Sequence, residues 1–95
     1  MDDTGIVERE LARRFDPATA RHLAERFNAS TLPLANHDNA RVHLAILWLA
    51  QGDARRALRE LAEAEKDWRD TLCAAGLENE NWRDVLRARG YEAPP

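Results

Sequence analysis

Three histidines, one cysteine and scattered carboxylates are the residues of this chain with catalytic or ligating capacity. His37 and His43 stand six apart, a spacing that does not share one helical face, and His22 lies well upstream. Asp38 is a neighbouring oxygen ligand, yet nothing in the spacing converges on a defined metal shell, so no metal site is expected. Cys73 sits late in a helical stretch beside Ala74 and Ala75, away from the helix N-terminus that lowers a thiol pKa. It reads as a small buried thiol. Asp67, Asp70, Glu80 and Asp84 each have an Arg or Lys neighbour at helical spacing, which fits solvated ion pairs better than an acid/base pair. The four glycines are isolated, so no phosphate-cradling loop is present. The chain is therefore not read as an enzyme, and no catalytic residue or cofactor is expected.

One pattern remains. Trp68-Arg69-Asp70-Thr71-Leu72-Cys73-Ala74-Ala75-Gly76-Leu77 recurs fourteen residues later as Trp82-Arg83-Asp84-Val85-Leu86-Arg87-Ala88-Arg89-Gly90-Tyr91. Trp and Leu at i, i+4 share a helical face. Gly supplies the left-handed residue past the helix end, and the apolar residue after it packs back on the last turn. Each copy is thus a helix ending that docks through Trp and Leu. The Arg-Asp pair is not demanded by that logic. Arg69, Asp70, Arg83 and Asp84 are either a bridge between the two helix ends or the candidate binding surface.

The elements that carry these residues are all helical. Seventeen alanines, twelve leucines and thirteen arginines favour helix, while Val, Ile, Thr and Tyr are scarce. Thr4 can cap a first helix with Val7, Leu11 and Phe15 on one face. Asp16-Pro17 stops it and starts a second, which carries Ala20, Leu23, Ala24 and Phe27. Residues 28–37 lack a period and hold Pro33, so they read as a loop from which Leu32 and Leu34 fold over the core. Asp38 or a neighbour caps a third helix that runs to Gln51. Its centre, residues 44–50, is apolar all round, the mark of a buried helix. Gly52-Asp53 ends it and caps a fourth, long helix over about 54–75, with Trp68 on its apolar face; Trp48 and Trp68 are both assigned to the core. Glu65–Arg69 and Lys66–Asp70 are spaced for pairing on its other face. A short fifth helix over about 80–89 buries Trp82, Val85 and Leu86. The fold expected is all-α, five helices in one domain over residues 1–91 with the third and fourth as a central antiparallel hairpin; residues 92–95 form a tail.

Ninety-five residues make one small domain, and 33% charged against 44% hydrophobic is a globular balance. No apolar run reaches the roughly 18 residues of a membrane span, and Met1-Asp2-Asp3 is acidic where a signal peptide opens basic. With a lone cysteine, a reducing cytoplasm is the expected setting. Arg55, Arg56 and Arg59 cluster, as do Arg13, Arg14, Arg21 and Arg26, but Glu25, Glu60 and Glu63 interleave with them and the net charge is −3. Nucleic acid is accordingly not the expected partner.

Residues 41–68 resemble one tetratricopeptide unit, with Leu44, Ala45 and Trp48 at the family's Leu, small and aromatic positions. Gly52-Asp53 stands at its turn, and Ala57, Leu61 and Ala64 on its second helix. Arg41 replaces the leading Trp, and no proline closes the unit near position 69. The stretch from Gly52 through Asp67-Trp68-Arg69-Asp70 to Leu77 is also similar to short bacterial helical proteins of unknown function. The resemblance to tetratricopeptide units implies a helical binding scaffold. The expected function is a non-catalytic protein–protein interaction module that binds another protein or itself as a homodimer, through apolar surface left by the third helix and the 28–37 loop. An Arg-based nucleic-acid binder is the alternative.

Overall fold

A computed structural model describes residues 3–30, 32 and 36–93. Six α-helices occupy them: α1 Asp3–Arg14, α2 Pro17–Ala29, α3 Asn36–Ala50, α4 Ala54–Lys66, α5 Trp68–Ala75 and α6 Trp82–Ala88. The bundle is all-α, as its composition requires, and spans 33 × 27 × 24 Å. α3 packs against α1, α4 and α5 at the centre, and α2 lies on α1 and α4. Val42, Leu44, Ala45, Ile46 and Leu47 of α3 are at most 1% exposed. Each buried Leu or Ile of this kind contributes roughly 1.5–3 kcal/mol relative to exposure. Trp82 is buried, whereas Trp48 and Trp68 are half-buried against the core rather than inside it.

Local capping chemistry sets most helix ends. Asp16 accepts the Thr19 N–H at 3.2 Å and the Thr19 hydroxyl at 2.6 Å, and these bonds hold its carboxyl below the ordinary value. Asp53 accepts from the N–H groups of Arg55 and Arg56 at 2.9 and 3.2 Å. α1 already includes Thr4 and α3 already includes Asp38, so neither residue is the cap expected of it; Leu34 lies outside the described residues.

The expected long fourth helix is two helices. Asp67 is extended (φ −153°, ψ 95°), ends α4 with its own N–H on Glu63 O, and starts α5 by accepting the Arg69 N–H at 3.1 Å. The apolar period runs unbroken through this joint, so periodicity alone does not reveal it. The break cancels the i, i+4 register across it. Lys66 pairs instead with Glu63 at 3.6 Å, and Arg69 lies over the Trp68 ring at 5.4 Å. It also leaves Cys73 exposed, because α5 turns Thr71, Leu72 and Ala75 inward and position 73 away; the thiol is not the buried one expected.

The duplicated segment is a repeated Schellman ending. Gly76 (φ 73°) donates to Cys73 O and Leu77 to Leu72 O; Gly90 (φ 84°) donates to Arg87 O and Tyr91 to Leu86 O. An added Cβ at Gly76 meets the Arg89 guanidinium at 2.9 Å, whereas at Gly90 nothing lies within 4 Å. Gly76→Ala should therefore cost more than Gly90→Ala, which carries only the left-handed penalty of about 1 kcal/mol. Thermal melts of the two variants check the order; equal midpoints would show that Arg89 yields freely.

A fully buried charge ties the ends of the chain together. Glu10 on α1 has no exposed side-chain surface. Arg13 and Arg14 each reach it at 3.0 Å, and the Glu92 N–H donates to it at 2.9 Å. The Glu92 carboxylate pairs with Arg9 at 2.7 Å, which lowers its pKa, so residue 92 of the expected tail is anchored. No helix among the described residues is long and apolar enough to cross a membrane.

Candidate functional site

The structure places Arg69 and Asp70 on the exposed side of α5, and Arg83 and Asp84 at the start of α6. Arg83 lies over the Trp82 ring at 4.4 Å, and Asp84 pairs within α6 with Arg87 at 3.3 Å. The link between the two helix endings is made by a different residue. Arg89 donates to the Ala75 carbonyl at 2.6 Å while its guanidinium covers Trp48 at 4.2 Å. Arg41 likewise donates to the Leu77 carbonyl, at 2.8 Å from Nε, tying α3 to the turn after α5.

A cleft between α1, α2 and α3 has a chemistry of its own. Each helix contributes residues three or four apart on one face. α1 supplies Val7, Glu8 and Leu11, and α2 supplies Ala24, Phe27 and Asn28, with Ser30 just beyond its end. α3 supplies Asn39, Ala40 and His43. The space enclosed is about 190 Å³, far more than one water needs. Phe27 and His43 stack with ring centroids 4.6 Å apart and planes 23° from parallel. Burial pushes the His43 imidazole down to about 4, so it is neutral at neutral pH.

The polar atoms of this cleft are the unusual part. His43 Nε2, Asn39 Oδ1 and Ser30 Oγ are all buried with no hydrogen-bond partner among the described residues. Leaving one such group unpaired costs roughly 1–3 kcal/mol, and buried polar atoms are normally satisfied. All three belong to residues that line the one cleft, although the atoms themselves are enclosed. Ser30 and His43 are not bonded to one another, so they form no nucleophile–base dyad. Among the described residues no group of three His, Cys, Asp or Glu converges to hold a metal ion.

From sequence, His43 was weighed as a metal ligand, and Asn39 and Ser30 were passed over. The signal was present: Asn39 and His43, at i and i+4, share one face at the polar entry to the apolar run of residues 44–50. No protein family, no curated protein and no solved structure matches the chain. The site is therefore read from its own geometry.

Proposed function

We propose that the protein is a small non-catalytic helical module that binds another protein, or a second copy of itself, and that the α1–α2–α3 cleft is where it binds. The observation that carries this reading is the part-apolar cleft of about 190 Å³ between three helices, whose lining residues include three with unpaired polar atoms. Its place also fits: Asn28, Ser30 and Asn39 border the connection between α2 and α3, where the sequence favoured an interface. The α3–α4 hairpin, similar in pattern to a tetratricopeptide unit, serves in this reading as the rigid support of the cleft.

The nucleic-acid alternative loses support because much of the basic surface of α1 is already occupied. Arg9, Arg13 and Arg14 are paired with Glu10 and Glu92. The test uses Asn28→Arg, a change at an exposed residue of the cleft rim. It should abolish capture of the partner from host extract while leaving the thermal midpoint within about 2 °C of wild type. Sedimentation equilibrium of both proteins covers self-association, where loss of a dimer in the variant is the corresponding result. Identical capture and identical mass for both would refute the cleft as the binding surface.

A further inference from the structure

Apart from that cleft, we infer that a second pocket, at the C-terminal end of α3, binds a doubly charged oxyanion of the phosphate class. Arg14 at the end of α1, Trp48 and Gln51 at the end of α3, and Arg89 and Tyr91 past the end of α6 line it. The cavity is about 290 Å³, just under the roughly 300–1,000 Å³ of sites for drug-sized ligands, so it suits a small group. Charge selects the sign of that group. Two guanidiniums border the space and no Asp or Glu does. An anion entering here finds the counter-charge that leaving water requires, whereas a cation meets its own sign.

The partners already present leave this charge available. Arg89 bonds a neutral group, the Ala75 carbonyl, and has no carboxylate in ion-pair range among the described residues. Arg14 touches Glu10 through Nη1, and that carboxylate is shared with Arg13. The dipole at the end of α3 opposes an anion with only about half a charge. Two of its last carbonyls are also bonded, Trp48 O by Gln51 Nε2 and Ala50 O by the Asp53 N–H.

The donors are reachable and held in place. The Arg14 side chain is 24% exposed, donates no hydrogen bond among the described residues and has no enclosed nitrogen. Arg89 spends Nη1 on Ala75 O, while its Nε and Nη2 are neither bonded nor enclosed. Arg14 Cζ lies 3.7 Å from the Tyr91 ring centroid and Arg89 Cζ 4.2 Å from that of Trp48. The two rings meet edge to face, 68° from parallel, with centroids 6.1 Å apart. Stacking uses the flat face of a guanidinium and leaves its N–H edge for hydrogen bonds. A carboxylate brings one charge and one planar edge, enough for one such fork. A phosphate group brings nearly two charges and three oxygens, enough for both.

The test is an NMR titration of the full chain at about pH 8, where a phosphate group is close to dianionic. Ionic strength is held with sodium chloride, and the Trp48 indole N–H and Arg89 Cζ signals are followed. Inorganic phosphate and N-acetyl-phosphoserine methylamide should both give saturable shifts in the millimolar range. The tighter of the two distinguishes a free ion from a phosphorylated side chain as the natural source. Acetate should bind at least about fivefold more weakly. Gln51→Glu puts a negative charge on the exposed rim and leaves both arginines in place. It should weaken phosphate at least about fivefold, with a thermal melt confirming its fold. Arg89→Lys, which keeps the charge and loses the fork, should weaken phosphate as well. No saturable shift with either phosphate probe would overturn the inference, as would acetate binding equally well or an unaltered affinity in Gln51→Glu. Asn28→Arg lies outside this pocket, so the cleft and the phosphate site can each fail alone.

Discussion

Replacing Glu10 by glutamine is expected to lower the unfolding free energy by about 3 kcal/mol. The carboxylate is wholly enclosed and is shared by Arg13, Arg14 and the Glu92 N–H. Its Oε2 sits 3.0 Å from the Arg14 guanidinium without a well-angled hydrogen bond, so that contact is ionic. Removing the charge strands two guanidiniums that were placed to meet it, and breaking a buried pair from one side costs about 3–5 kcal/mol. The lower figure applies because the Arg13 side chain is 53% exposed and can rehydrate. For a small domain this is a large share of a total near 5–15 kcal/mol. Urea denaturation measures it directly. A midpoint equal to wild type would show that the charge contributes nothing. Glu10→Leu combined with Arg14→Met should recover part of the loss, since an apolar pair carries no desolvation cost.

The second large effect is on pH dependence. The His43 imidazole is held near 4 in the folded protein against an ordinary 6.5, through burial. Between those values the unfolded chain binds a proton that the folded chain refuses. Stability from this group is complete above pH 6.5 and is lost as pH falls toward 4, by up to about 3 kcal/mol. Asp16 and Glu92, whose carboxyls are held low, add their own losses only further into acid. Between pH 7 and pH 4.5 wild type should lose about 2–3 kcal/mol more stability than His43→Gln. Parallel curves for the two proteins would show that His43 protonates in place without penalty, and the packing against Phe27 would then be looser than described.

How much of this was legible in the sequence depends on how far along the chain each interaction reaches. The caps at Asp16 and Asp53 and the turns at Gly76 and Gly90 act within a few residues, so residue type and order suffice to place them. The apolar centre of α3 likewise announces a buried helix, because no solvated face is available to it. The repeated Trp-to-Gly segment was readable as two Schellman endings for the same reason.

Only the tertiary structure decided the rest. Asp67 has the side chain of a cap inside an unbroken apolar period, and the packing of α5 against α3 and α4 accompanies the cap reading. Cys73 became exposed through that same choice. Glu10 stands three residues after Val7 on the apolar stripe of α1, a position where a carboxylate looks misplaced until Glu92 arrives from the far end of the chain. The cleft needs three helices at once, and among the described residues its three enclosed polar atoms find no partner. Short-range hydrogen bonds are encoded residue by residue. The burial of a charge, or of an unpaired polar atom, belongs to groups distant in sequence that meet only in the folded chain.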